Sequence, residues 1–220
     1  MSIKVTHRSP VARQTRRAAL LFVAHATGTA NITLVIALSP SIEASLALGN
    51  AGFGFIISAY YGAMLVLALP VGWLVDRFGL KVVLVIAHLF LAIGLWVLTL
   101  ASGLMLATVA LVLCGCGYAF INPATARAVL MWFPTRERAT AMGVKQTGVP
   151  AGGVIAAFIA ATVDADWRTV VLVMAVATAV VGVGYLGLRV AQTPRLSAVG
   201  LLDMRRLLFL PNLAYFNAGS

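Results

Sequence analysis

Acidic residues are scarce in this chain of 220: six Asp and Glu stand against 16 Lys and Arg, a formal net charge of +10. Glu43, Asp76, Glu137, Asp164, Asp166 and Asp203 all fall at the ends of apolar runs or between them. A carboxylate-based catalytic centre or metal site needs acids gathered in one pocket, so neither an enzyme nor a bound metal or other cofactor is expected. Charge of either sign is rare too, at 10% of residues, where a soluble domain carries about 25%. Cysteine is nearly absent. Cys114 and Cys116 sit two apart inside LVLCGCGYAF, a spacing poor for a disulfide and unlike a zinc site, so both read as small packing residues. No basic stretch is interleaved with aromatics, which excludes a nucleic-acid groove as the reason for the positive charge.

What fills the chain instead is apolar sequence: 61% of residues are hydrophobic and the mean hydropathy is +1.00. Runs of about 20 apolar residues, long enough to cross a ~30 Å hydrocarbon layer, recur down the chain. Six spans are predicted at 18–39, 52–75, 82–101, 104–131, 140–162 and 168–188, and a seventh begins near Leu207 and stops at Ser220. The chain is an all-α, multi-pass membrane protein whose first partner is the lipid bilayer. Residues 1–17 form a basic N-terminal segment. The run from Ala18 to Leu38 outlasts a signal peptide's apolar region and reads as a retained first helix.

Basic residues set the orientation. The N-terminal segment, the turn between spans 2 and 3, the region around the 4–5 turn and the linker 189–206 hold 15 of the 16. Arg168 alone lies on the other side, with Glu43, Asp164 and Asp166. The positive-inside rule puts the N-terminus in the cytoplasm, at what is expected to be a bacterial plasma (inner) membrane.

Polar residues within spans are costly and face a bundle interior or a wet cavity. Span 1 carries His25, Thr27, Thr29, Asn31 and Thr33, span 4 Thr108, Tyr118, Asn122, Thr125 and Arg127, and span 5 Lys145, Gln146 and Thr147. Span 2 adds Ser58, Tyr60 and Tyr61. Span 3 has one strongly polar residue, His88, and span 6 only Thr178 and Tyr185. Spans 1, 4 and 5 are therefore expected to line a cavity, and spans 3 and 6 to face lipid or serve packing alone. Each group of three ends in its driest helix, as a 3+3 repeat would. Gly52, Gly54, Gly62, Gly115, Gly117, Gly143, Gly148, Gly152 and Gly153 mark where backbones should approach closely.

GWLVDRFGLK, residues 72–81, packs three charges and two glycines into one turn. It resembles the signature between helices 2 and 3 of the major facilitator superfamily, Gly-x-Leu-x-Asp-Arg-x-Gly followed by two basic residues. Gly72, Leu74, Asp76, Arg77, Gly79 and Lys81 match, and Leu80 departs. Gly72 is expected to allow a close helix contact, Gly79 to make the turn at positive φ, and Arg77 and Lys81 to reach the headgroups. The resemblance implies a gating element in which Asp76 bonds toward a helix of a second half. GVPAGG (Gly148, Pro150, Gly152, Gly153) resembles the family's Gly-Pro-rich helix 5, more loosely, and DWR at 166–168 a common opening of helix 6. Leu111 stands where helix 4 often carries an Arg. The run MWFPTRERATAMGVKQTGVPAGG is similar to cyanate and nitrate/nitrite porters and to organic-anion symporters.

The resemblance implies half of the family's twelve-helix bundle: a six-helix domain over 18–188, a cytoplasmic linker over 189–206 and the start of helix 7 over 207–220. The missing C-terminal half is then a partner. The expected function is secondary active transport of a small solute by alternating access, as symport or antiport, with a small or organic anion as one substrate class. A drug or sugar facilitator and a non-transporting subunit or sensor are the alternatives.

Several residues could line the substrate path. Lys145, with Gln146 about 9 Å into span 5, would attract an anion, or would snorkel to the interface. His25 could bind substrate or carry a coupled proton, or be a hydrogen-bonded interior histidine. Asn31, Tyr118 and Asn122 line the path or pack between helices. Arg127 is expected to pair structurally with Asp76 or Glu137.

Overall fold

The computed structural model describes residues 10–162 and 166–187. The seventh span, the linker 189–206 and Asp164 lie outside them, as does most of the N-terminal segment. Six helices form the described chain: α1 Pro10–Ala37, α2 Ser39–Leu46, α3 Gly49–Thr99, α4 Leu104–Trp132, α5 Thr135–Thr162 and α6 Trp167–Gly184, closed by a 3₁₀ turn over Tyr185–Gly187. Six described stretches are long and apolar enough to cross a membrane.

α3 joins spans 2 and 3. Its one non-helical residue is Gly79, at φ 79° and ψ 161°, a region that residues with a Cβ avoid. Tyr60 meets Gly115 of α4 while Leu91 meets Gly117. Thirty-one residues of straight helix would hold Tyr60 and Leu91 about 45 Å apart, so the chain doubles back at Gly79. α4 lies against both arms, 49–78 and 80–99. Leu80, the departure from the signature, is buried: its apolar side chain joins the core where the family pattern has a cation.

Helix ends run past the apolar windows. α1 begins at Pro10, eight residues before its expected start, and takes in Arg13, Arg16 and Arg17; α5 begins at Thr135, five residues early. Hydropathy registers only the part suited to hydrocarbon, whereas backbone hydrogen bonding continues into the headgroup zone. α2 is unforeseen; Pro40 lies in its first turn, and Ala47 ends it in the left-handed conformation at φ 51°.

The helices meet through small residues, as expected where lipid removes the hydrophobic drive between spans. Gly148 and Gly152 lie against the backbone of α1 at Phe22 and Ala26, and Gly94 of α3 lies against Ala110 and Cys114 of α4. The expectation fails at Gly54, Gly62, Gly72 and Gly143, where a side chain would meet nothing within 4 Å. All four are on exposed helix faces, so they mediate no contact within the described residues. Gly52 meets only Leu48 and Leu104.

Span 3 is not simply lipid-facing. Its arm of α3 buries Leu84, His88, Leu91 and Leu95 against neighbours and exposes Leu89, Ile93 and Trp96. The least covered spans are the first arm of α3 and α5.

Arg168 fastens the end of the bundle opposite Asp76. Its Nε donates to the Thr99 carbonyl at 3.1 Å, and its terminal nitrogens donate to the Ala101 carbonyl and the Ser45 hydroxyl, both at 2.8 Å. The guanidinium also lies over the Trp167 ring. Thr99 ends α3, where helix carbonyls lack intrahelical partners, so one planar fork closes that end onto α6 and α2. Asp166 caps α6 by accepting from the Arg168 backbone N–H at 3.1 Å. Arg168→Ala should cost about 2 kcal/mol, which for a domain of this size lowers the melting temperature by about 4–8 °C. Arg168→Lys, with a point charge and no fork, should recover less than half of that in a detergent thermal-shift assay.

Candidate functional site

On α4, Tyr118, Asn122 and Thr125 follow one another at i, i+4 and i+7, a spacing that stacks them on one face. His25 and Thr29 stand at i and i+4 on α1. Between these two faces comes Lys145 of α5. Gly148, one turn further along α5, has the Phe22 carbonyl and the His25 Cβ where a side chain would go. That approach holds Lys145 beside His25.

The Lys145 side chain is 2% exposed, and its Nζ donates to Asn122 Oδ1 at 2.8 Å and to Thr125 Oγ1 at 3.3 Å. It lies about 15 Å along α5, deeper than the 9 Å expected, because the helix starts earlier. Snorkelling is therefore not its arrangement here. His25 is equally buried, with Nε2 2.8 Å from Thr125 Oγ1. Thr125 thus holds both nitrogen groups and also donates to the Ile121 carbonyl at 2.7 Å. The polar face continues one turn away, where Tyr118 Oη lies 3.3 Å from Thr29 Oγ1 and the Tyr118 ring is 6.3 Å from Tyr60.

Both partners of Lys145 are neutral. The described acids are engaged elsewhere or lie at helix ends: Asp76 pairs with Arg127, Glu137 with Arg136, Asp166 caps α6, and Glu43 is in α2. The site is a buried positive charge held by hydroxyl and amide groups. Such a charge is costly in a low-dielectric interior and is suited to receive an anion.

Not every expected path residue joins this cluster. Asn31 turns to α6, where its Oδ1 accepts from Thr178 at 3.0 Å, and Gln146 is exposed outside the cluster. Azimuth separates them: two residues adjacent in a helix point about 100° apart, so Lys145 and Gln146 cannot share a pocket. Thr125, the hub, stands out in the sequence only as one polar residue of span 4. Its i+3 offset from Asn122 was the available signal. His88 donates from Nδ1 to the Leu84 carbonyl at 2.8 Å and stacks near Tyr185, a packing role.

The charged turn lies apart from the cluster. Arg127 of α4 reaches Asp76 of α3 at 3.0 Å, with both side chains more than two-thirds buried. Within this chain, then, Asp76 bonds to its own half rather than only toward a second one. Glu137 is no partner of Arg127; Arg136 holds it at 3.5 Å, and that arginine is 85% exposed. Arg77 lies over the rings of Trp73 and Phe78. Of the helix 5 motif, Gly148 and Gly152 contact α1, Gly153 reaches only Thr33 Oγ1 at 4.0 Å, and Pro150 is exposed.

Several curated proteins resemble the chain over part of their length. It is 28% identical over 141 residues to the "Probable sulfoacetate transporter SauU" of Cupriavidus necator, covering 62% of this chain and 32% of that protein. It is 32% identical over 130 residues to the "Probable galactarate/D-glucarate transporter GudP" of Bacillus subtilis, covering 56% and 28%. The corresponding GarP of Escherichia coli K12 is 29% identical over 131 residues, covering 57% and 30%. The chain thus spans about a third of the length of these relatives. Among solved structures, a bacterial homologue of the human lysosomal transporter Spinster, inward-facing and unoccupied, matches at a TM-score of 0.71 and 16% identity, over 88% of this chain and 48% of that one. The likeness is one of fold. The family model described as Major Facilitator Superfamily matches residues 20–216. Since that match takes in the reversal at Gly79, Asp76 before it, most of the first span and the other five, the chain belongs to the Major Facilitator Superfamily.

Proposed function

We propose that this chain forms the N-terminal half of a secondary active transporter that carries a small organic anion across a bacterial inner membrane by alternating access. The observation that carries the reading is Lys145, an ammonium 2% exposed whose bonds go only to neutral oxygens. A cation left uncompensated in a membrane interior is a functional residue by default. The relatives supply the class of its counter-ion: those quoted are named for sulfoacetate, galactarate and D-glucarate, all carboxylates. The basic excess toward one side supports a cytoplasmic N-terminus.

A second six-helix half would complete the site, seated on the first arm of α3 and on α5, the least covered spans. Rocking of the halves would expose the Lys145 cluster to each side in turn. The Asp76–Arg127 pair would brace the cytoplasmic turn that the moving halves share, and His25 or a group in the second half would handle any coupled proton.

The test is uptake and counterflow of labelled galactarate, D-glucarate and sulfoacetate in proteoliposomes holding the complete protein. Transport of none of them overturns the reading. Asp76→Asn leaves Arg127 without its counter-charge and should cut the maximal rate at least fivefold with KM within twofold and insertion unchanged. A wild-type rate in that variant would remove the pair from the gating cycle.

A further inference from the structure

The hydrogen bonds of Thr125 favour one tautomer of His25. A hydroxyl has one proton to give and two lone pairs to receive with. Assigning that proton to a backbone carbonyl of α4, Ile121 at 2.7 Å or Asn122 at 3.0 Å, leaves the oxygen to accept from Lys145 Nζ and from His25 Nε2. His25 Nε2 therefore carries hydrogen. In the neutral ring the remaining lone pair is on Nδ1, which is buried and has no hydrogen-bond partner. The site holds a vacant proton acceptor beside a fixed cation.

The groups facing His25 are few. From α5 come Gly148, against its Cβ, and Lys145, which shares the Thr125 hydroxyl with it; from α4 comes that hydroxyl, with Tyr118 two turns away. Among the described residues no carboxylate of α3 or α6 is bonded to it. A proton on Nδ1 would put a second positive charge on the oxygen that Lys145 already uses, with nothing to offset it. An anion with one negative charge balances Lys145 alone. An anion with two balances Lys145 and a protonated His25 together.

We propose that His25 sets the valence of the anion this site accepts, by taking up a proton on Nδ1 when a dianion binds beside Lys145. The inference rests on the anion-transporter reading and names the charge class of its substrate. His25 acts through charge, since Nδ1 is enclosed, and so is a positioning residue rather than a direct ligand. Linkage makes the effect reciprocal: a dianion that favours the proton is itself favoured by it, by the same factor. Because the proton is taken up as the dianion binds, dianion affinity rises on acidification.

Galactarate and D-galactonate test this as a matched pair, sharing a carbon skeleton but carrying two carboxylates and one. Binding of each, labelled, to the complete protein in nanodiscs is measured from pH 7.5 to 5.5. Galactarate affinity should rise about tenfold on acidification, a typical coupling between sites, and galactonate affinity less than threefold. His25→Gln, which keeps an N–H donor for Thr125, should flatten the galactarate profile, and any change it makes in galactonate affinity should be the same at every pH. A galactarate profile as steep in His25→Gln as in the wild type overturns the inference alone, as does an equal rise for both anions. Binding of neither anion at any pH overturns the transporter reading and this inference with it.

Imidazole ¹⁵N shifts of the wild type give a second measurement. The two buried histidines differ in tautomer, because His88 bonds the Leu84 carbonyl through Nδ1. At pH 6 the Nε2–H form assigned to His25 should be neutral without galactarate and doubly protonated with it. A His25 already charged without the anion, or neutral with it, overturns the inference.

Discussion

Replacing Lys145 with methionine should severely weaken anion uptake while leaving the bundle as stable as the parent, or more so. The ammonium is 2% exposed and bonded to two neutral oxygens, so its desolvation is only partly repaid within the protein. Substituting a group of similar shape without charge removes that cost, as it does for buried ion pairs replaced by apolar residues. The anion, by contrast, would lose its charge-assisted contact. At about 3 kcal/mol, and 1.4 kcal/mol per decade, galactarate affinity should fall about 150-fold. KM and the melting temperature, measured together, decide the role. An unchanged KM would make Lys145 a structural residue. A loss of several degrees would mean its bonds to Asn122 and Thr125 hold α5 onto α4.

The second large effect is expected at Gly152, where a single methyl group should loosen the contact between α1 and α5. A Cβ there would meet the backbone of Ala26, its carbonyl group and its Cα at 3.0 Å, and backbone cannot rotate away as a side chain does. α5 must retreat from α1, opening the seam that holds Lys145 beside His25. Overpacking of this kind costs about 1–3 kcal/mol, so Gly152→Ala should lower the melting temperature by about 3–10 °C and weaken anion uptake. Gly153→Ala is the matched control. Its Cβ would meet only Thr33 Oγ1 at 4.0 Å, and alanine is the better helix former by about 1 kcal/mol. Equal stability of the two variants would show that α1 and α5 do not depend on this close approach.

How far the site could be read in advance depends on what each signal measures. The turn at residues 72–81 was legible because Gly79 needs a conformation other residues avoid, and the structure has φ 79° there. Which helices carry polar side chains was legible because such side chains in a span need a reason. Their grouping was not. Asn31 and His25 looked alike as polar residues of span 1, yet His25 faces α4 and α5 while Asn31 faces Thr178 of α6. Likewise Gly72 and Gly152 are the same residue in similar helices, and only Gly152 has a neighbouring backbone against it. The clamp at Arg168 joins residues 123 positions apart in the chain, a separation no local pattern reports.

By itself the sequence determined the membrane class, the six spans of the described residues and the superfamily. Each follows from composition and order along the chain: run length against bilayer thickness, and a motif with a fixed spacing. Tertiary structure alone decided that Lys145, His25, Asn122 and Thr125 form one hydrogen-bonded cluster, that Gln146 and Asn31 stand outside it, and that Asp76 has a partner in Arg127. Those outcomes depend on how each helix is rotated about its axis. That rotation is set by which small residues let two backbones touch, a property of pairs of helices rather than of either sequence segment.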